Sequence, residues 1–259
     1  MKEIIKYPRT RHLCGSGLQK GDQDLSVVSF DSLNGKRIVI EEKIDGANCG
    51  ISFDKNANLK LQSRGHFLAG ANDYPHFDLF KSWTNSIESE LFDMLGDQYI
   101  MYGEWMFAFH SVYYDTLPHY FMEFDIYDKS SEKFLSTKER KKITGDKISS
   151  VPVLYDGKFI SEKHMLSFLG SSLYVSDKAL DLLKSELKTK KIPETLANLI
   201  LSLNDTITEG IYIKIEDEPY TIDRLKYVRP NFVQTIASSE THWLDRPMIA
   251  NKIIKREMR

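Results

Sequence analysis

Apolar positions recur along this chain with two different periods, and the two alternate. Ile38-Val39-Ile40 runs into Glu41-Glu42-Lys43 and stops at Asp45-Gly46, a strand that ends in a tight turn. Cys49–Phe53 is β-branched and aromatic enough to be the return strand, and Leu59–Ser63 reads as a third, with the polar stretch Asp54–Asn58 as the turn between them. From Phe77 the period changes. Phe77, Phe80, Trp83, Ile87, Leu91 and Leu95 fall at three- and four-residue steps, which predicts a helix over 77–95. Tyr99–Phe107 and Tyr120–Tyr127 are short and dense in aromatics, as buried strands are. Ser161–Ser202 is helical again, most clearly at Lys178–Leu187 and Thr195–Leu203, with Pro193 separating the two. Thr208–Ile215 and Arg224–Val228 return to strand. The segment before Ile38 is rich in loops, with a short strand near Leu25–Phe30, and Ser239–Arg259 is polar, a helix or a tail.

Strands, a helix, strands, a helical insert and strands again predict an α+β domain with antiparallel sheets and flanking helices, not a wound βαβ fold. The expected organisation is a single domain over 1–259, with a helical insert at about 160–205 covering the sheet and a short extension over 230–259. No apolar run approaches the roughly 18 residues that span a bilayer. No signal peptide is visible at the start, so a cytoplasmic protein without membrane contact is expected. Cys14 and Cys49 are too few for a disulfide framework or a zinc site and are expected as reduced thiols. The net charge of −2 and pI near 6.4 argue against a chain that coats nucleic acid with a basic surface, but a local patch can still grip a few phosphates. No glycine-rich phosphate loop is present.

The chemistry centres on Lys43-Ile44-Asp45-Gly46. A lysine attacks an electrophile only as the neutral amine, and burial or a neighbouring cation lowers its pKa toward neutrality. Gly46 allows a sharp turn or the close approach of a ligand. Taken alone, the four residues equally describe a hairpin with a solvated lysine.

They are not alone. Glu42-Lys43-Ile44-Asp45-Gly46-Ala47-Asn48 resembles motif I of the covalent nucleotidyltransferases, the superfamily of ATP-dependent ligases and mRNA capping enzymes. Ser63-Arg64-Gly65 resembles the element after the return strand, Tyr102-Gly103-Glu104-Trp105 motif III, and Phe121-Met122-Glu123-Phe124-Asp125-Ile126 motif IIIa. Glu209-Gly210-Ile211-Tyr212-Ile213-Lys214 resembles motif IV and Leu225-Lys226-Tyr227-Val228-Arg229 motif V. Glu42, Asn48, the stretch Trp105–Tyr120 and the opening Tyr7-Pro8-Arg9-Thr10-Arg11-His12-Leu13 are similar to RNA ligases of the phage T4 RNA ligase 2 type, in a bacterial and phage subgroup.

The resemblance implies an ATP-grasp-like ligase adenylation domain. It implies an ATP-dependent RNA ligase that forms lysyl-AMP on Lys43, passes AMP to a 5′-phosphate end and seals it to a 3′-hydroxyl. Lys43 and Lys226 are the implied catalytic residues. Glu42, Asp45, Asn48, Arg64, Glu104, Phe124 (stacked on adenine), Lys214 (near the β- and γ-phosphates) and Lys226 are the implied nucleotide contacts. Mg²⁺ or Mn²⁺ is the implied cofactor beside ATP, with Glu209 and Asp45 as its candidate ligands. RNA ends are the implied partners, with a separate end-healing kinase or phosphatase as a further one. Motif V often carries two lysines two apart, whereas Val228 and then Arg229 follow Lys226 here, so either a bulge turns Arg229 inward or Lys226 serves alone.

Each residue has a plainer alternative. Arg64, Glu104, Glu209 and Lys226 can be outward-facing strand residues, and Phe124 core packing. Arg9, Arg11 and His12 either grip a phosphate or form a solvated arm. His242-Trp243 either stacks on a nucleotide or packs a helix. DNA ligases and capping enzymes usually add an OB-fold domain after motif V, and 230–259 is too short for a five-stranded barrel, which favours a minimal ligase or one that works with a separate kinase or phosphatase, while RNA over DNA rests on Asn48 and the subgroup likeness. A non-catalytic RNA-binding module on the same fold is the alternative from a different class.

Overall fold

The computed structural model describes residues 4–18, 21–68, 75–233 and 247–254. Its strands are β1 (Arg11–Leu13), β2 (Val27–Val28), β3 (Arg37–Lys43), β4 (Ala47–Phe53), β5 (Leu59–Ser63), β6 (Tyr99–Trp105), β7 (Phe121–Asp128), β8 (Lys133–Leu135), β9 (Val153–Lys158), β10 (Gly210–Asp217) and β11 (Tyr220–Val228). Its helices are α1 (Asp78–Ser86), α2 (Glu88–Leu95), α3 (Thr137–Thr144), α4 (Glu162–Leu166), α5 (Ala179–Thr189) and α6 (Glu194–Leu203). The fold is α+β, as the pattern predicts, with a large and almost wholly antiparallel sheet.

The sheet runs β5-β4-β6-β7-β8-β11-β10-β3-β9, so short β8 joins two halves. Alternation along each strand gives both halves an apolar outer face. On the first half, Cys49, Ile51, Phe53, Met101, Trp105 and Phe121 pack beneath Phe80, Leu91 and Leu95 of the two helices. On the second, Ile38, Ile40, Ile211, Ile213, Ile215 and Leu225 pack against Leu13, Phe30, Leu33 and Met165. The opposite faces carry Glu41, Lys43, Tyr212 and Lys226 on one half and Asn48, Glu104 and Phe124 on the other. All seven line one cavity, so the sheet curls to bring its two polar faces together.

The expected helix over 77–95 is two helices. Ile87 leaves helical geometry at φ −123°, ψ 26°, and the apolar stripe continues across the break because both pieces bury against the same sheet face. α3 escapes a reading by apolar period because it buries Thr137, Arg140 and Thr144 instead of an apolar stripe. Ser136 caps it by accepting from the Glu139 amide. The insert covers the sheet only through α4, whose Met165 sits in the second half's outer core. α5 and α6 pack instead on Phe109, Tyr113 and Ile249. Residues 247–254 are neither helix nor free tail: they bridge to Ala108 and Leu117, and fully buried Asn251 accepts from the Tyr114 amide and donates to the Met106 carbonyl. His242-Trp243 lies outside the described residues.

Candidate active site

Lys43 ends β3 and projects into the cavity between the sheet halves. Its β10 neighbour is Gly210, and a Cβ there would lie 2.0 Å from the Tyr227 carbonyl oxygen. The glycine therefore lets β10 press close on β11, and Glu209 just before it accepts from Lys43 Nζ at 2.5 Å. Gly46 has a comparable role after the lysine: a Cβ would lie 2.7 Å from Met106 Sδ and 2.9 Å from the Trp105 carbonyl oxygen. Close packing, with no left-handed backbone angle, is what the Gly46 position requires.

A cavity opens between the two sheet halves. Lys43, Asn48, Arg64, Glu104, Phe124 and Lys226 all line it, drawn from five strands and one loop. Asn48 and Glu104 are directly paired across β4 and β6. Arg64 stands exposed at the mouth. Phe124 is half-buried, its ring edge-on to Tyr7 at 5.0 Å.

Three expected contacts sit elsewhere. Strand alternation sends the Glu42 side chain behind β3, where its carboxylate is buried against Ser172 Oγ and the Leu173 amide; only the residue's edge reaches the cavity. Desolvation raises the Glu42 pKa. Asp45 turns away toward the loop after β6. Its Oδ2 accepts from the Ser111 amide at 2.8 Å, and its own amide donates to Tyr114 Oη at 2.9 Å. Lys214 is fully buried beneath the cavity wall, with its ammonium between Glu41 (3.0 Å) and Asp125 (3.2 Å) and donating to the Phe124 carbonyl. Both faces of that network continue: Arg140 bridges Glu41 and Glu123, and Arg224 holds Asp125 at 2.9 Å. A strand lysine in an apolar sequence looks solvent-seeking, and only the cross-strand carboxylates reveal why this one is buried.

The alternative at motif V resolves outward. Arg229 lies past the end of β11, donating to the Thr208 carbonyl and to Asp205, so no bulge turns it in. The basic residue that shares the face of Lys226 at a spacing of two is upstream, Arg224. The N-terminal arm divides: Arg9 stays exposed and Arg11 half-buried, while His12 is buried. β1 pairs in parallel with β11, placing buried His12 beside Lys226. Arg9 pairs with Asp24, and Arg11 with Asp223.

Sequence reasoning missed Asp22. Its Oδ2 accepts from Lys226 Nζ at 2.6 Å and meets His12 Nε2 at 3.1 Å. Burial opposes the Asp22 charge, but Lys226 and His12 outweigh it and hold the pKa near about 2. It missed Tyr7, Thr10 and Tyr212 as well, all on the cavity wall. The opening Tyr7–Leu13 stretch was the signal for Tyr7 and Thr10, and the Glu209–Lys214 stretch the signal for Tyr212.

The electrostatics reverse one expectation. Burial pushes the Lys43 pKa down, but Glu209, Glu104 and Asp45 outweigh it, so the ammonium is held above its ordinary range. Lys226 is lowered, first by burial and also by Lys43, but it does not tip Lys43 toward the neutral amine. Glu104 is pushed up to about 8 by burial, with Glu209 and Asp45 adding to the effect against Lys43. Three carboxylates thus surround one lysine. Their oxygens are donors of the kind a divalent cation takes, and Glu209 is the carboxylate in contact with the Lys43 ammonium. Among the described residues no cluster of three or more His, Cys, Asp or Glu side chains forms a ready-made metal cage.

A large antiparallel sheet with flanking helices is the fold this chain shares with the RNA ligase structures it resembles. The family profile described as RNA ligase matches residues 36–228, and the chain belongs to that family. Among solved structures, a Naegleria gruberi RNA ligase mutant with ATP and Mn aligns at TM-score 0.50 and 13% identity, covering 81% of this chain and 54% of the other. An apo mutant of the same ligase aligns at TM-score 0.51 and 14% identity, covering 92% and 62%. A mutant with AMP and Mn aligns at TM-score 0.50 and 14% identity, covering 88% and 63%. At these identities the likeness is one of fold. The chain spans under two thirds of the length of these neighbours. No curated relative matches the chain by sequence. No helix among the described residues is long and apolar enough to cross a membrane.

Proposed function

We propose that this chain is an ATP-dependent RNA ligase of the phage T4 RNA ligase 2-like branch, with Lys43 as its nucleophile. The observation that carries the reading is convergence. Lys43, Asn48, Arg64, Glu104, Phe124 and Lys226 come from distant parts of the sequence and line one cavity. The relatives of this fold include ligase structures with ATP, AMP and Mn.

In this reading Lys43 sheds a proton, its Nζ attacks the α-phosphorus of ATP, and the bond to pyrophosphate breaks. The acceptor in contact with that ammonium is Glu209. Lys226 faces the α-phosphate once it leaves Asp22, Arg64 clamps the ribose or a phosphate at the mouth, and Phe124 stacks on the base. Glu104 and Asn48, paired across their strands, hold the ribose. Glu209 would hold a Mg²⁺ or Mn²⁺ ion, which supplies charge neutralisation on the phosphates. AMP then passes to a 5′-phosphate end, and a 3′-hydroxyl displaces it. The chain works on ends prepared by a separate kinase or phosphatase, in the cytoplasm.

A sealing assay on nicked duplexes tests the RNA assignment. Sealing that requires ribose on the 3′-hydroxyl side is the expected result. Equal sealing of an all-DNA nick would overturn it in favour of a DNA ligase, and self-labelling from GTP but not ATP in favour of a capping-type enzyme.

A further inference from the structure

One end of the cavity is a chain of hydroxyls anchored on a carboxylate. Tyr7 Oη lies 2.6 Å from Asp125 Oδ2 and 2.8 Å from Tyr212 Oη, and Tyr212 Oη lies 2.7 Å from Thr10 Oγ1. Tyr7, Thr10 and Tyr212 all line the cavity, and the Tyr7 ring meets Phe124 edge-on. Asp125 is fully buried between Arg224 at 2.9 Å and Lys214 at 3.2 Å, so it is an anion with lone pairs only. Those cations outweigh burial and keep its pKa near about 2. Burial raises the Tyr7 and Tyr212 pKa values, so both phenols keep their protons.

A hydroxyl has one hydrogen to give, and that settles the direction of the whole chain. Tyr7 gives its hydrogen to Asp125, so toward Tyr212 it can only accept. Tyr212 gives its hydrogen to Tyr7, so toward Thr10 it can only accept. Thr10 gives its hydrogen to Tyr212. None of the three retains a hydrogen for a ligand.

We infer that the Asp125–Tyr7–Tyr212–Thr10 chain leaves these three hydroxyls as acceptors only toward a ligand, and so selects a purine bearing an exocyclic amine over one bearing a carbonyl at that position. Adenine presents an amine there and guanine or hypoxanthine a carbonyl oxygen. A carbonyl facing these lone pairs would lose its water without gaining a donor. The inference rests on the reading of the cavity as an adenylate site, and it assigns base choice to residues outside the motif that carries Lys43.

Equilibrium binding to the Lys43→Ala chain tests it without the covalent step. The probes are ATP, purine riboside triphosphate (no group at that position) and inosine triphosphate (a carbonyl). Affinity should fall in that order, with ATP ahead of inosine triphosphate by roughly ten- to hundredfold. Adding Tyr7→Phe keeps the ring and frees the Tyr212 hydrogen, so inosine triphosphate should bind more tightly and the ratio should drop at least about fivefold. Adding Thr10→Val instead removes lone pairs, so ATP should weaken while inosine triphosphate changes little. A loss of fold in either variant would weaken all three nucleotides alike and could not produce these opposite shifts. Equal binding of ATP and inosine triphosphate, or a ratio untouched by Tyr7→Phe, would overturn the inference. Wild-type labelling from ATP with an untouched ratio would sink this inference alone. Selective ATP binding without any labelling would sink only the covalent mechanism. No binding by any probe would sink both.

Discussion

Lys43 Nζ and Glu209 Oε2 stand 2.5 Å apart, and this contact, with Glu104 and Asp45 nearby, holds the Lys43 pKa above its ordinary value. Glu209→Gln removes the nearest anion and should lower the Lys43 pKa. At neutral pH an amine-directed acylating reagent should then modify Lys43 faster than in the wild type, read by peptide mass spectrometry. Wild-type modification should still be climbing at about pH 9, because a raised lysine pKa places the plateau above the ordinary range of about 10.4. Unchanged or slower modification in the variant would mean that the pair does not control the amine.

Glu104 should impose a penalty on alkaline stability. Its folded pKa of about 8 lies above the ordinary glutamate range, so its contribution to stability is fully present below an unfolded pKa of about 4.3 and is lost as pH rises through 8. Glu104→Gln should therefore match the wild type in thermal melting near pH 4 and exceed it near pH 9. A gap that is constant with pH would contradict the assignment.

Asp22 carries the opposite sign. Its folded pKa of about 2 lies below the unfolded value, so its stabilisation is present above about pH 4 and disappears as pH falls toward 2. Asp22→Asn should reduce stability at pH 7 by about 1–3 kcal/mol and should flatten the acid limb of the melting profile. Identical acid limbs would show that the Lys226 contact is not maintained.

Arg140 is fully buried with Glu41 on one side and Glu123 on the other. Arg140→Met leaves Glu123 without its ion-pair partner and Glu41 with Lys214 alone. Breaking a buried pair in this way costs about 3–5 kcal/mol. In a chain of this size, each kcal/mol moves the melting temperature by about 2–4 °C. A loss of roughly 6–20 °C is expected in calorimetry, and a drop under about 2 °C would contradict the network's role.

The pattern of apolar periods located most of the sheet, and Lys43 stood out because strand, lysine and turn glycine are consecutive. Asn48, Arg64, Glu104, Phe124 and Lys226 were legible as motif residues, although their convergence depends on the curl at β8, which no local pattern encodes. The remainder depends on contacts between distant segments. The parallel pairing of β1 with β11 brings the arm in, and with it Asp22 to Lys226 and Tyr7 and Thr10 to Tyr212. Lys214 reads as a phosphate contact until Glu41 and Asp125 are seen to enclose it. The direction of the Lys43 pKa could not be read from its neighbours in sequence, because Glu104 and Glu209, which outweigh burial, come from other strands.

The most direct test of the central claim is covalent labelling with ATP carrying a labelled α-phosphate, in the presence of Mg²⁺ or Mn²⁺. Wild-type protein should take up adenylate at Lys43, and Lys43→Ala should take up none. Lys43→Arg should also take up none, because arginine stays protonated at any working pH. Label on either variant, or none on the wild type, would contradict the assignment of Lys43 as the nucleophile.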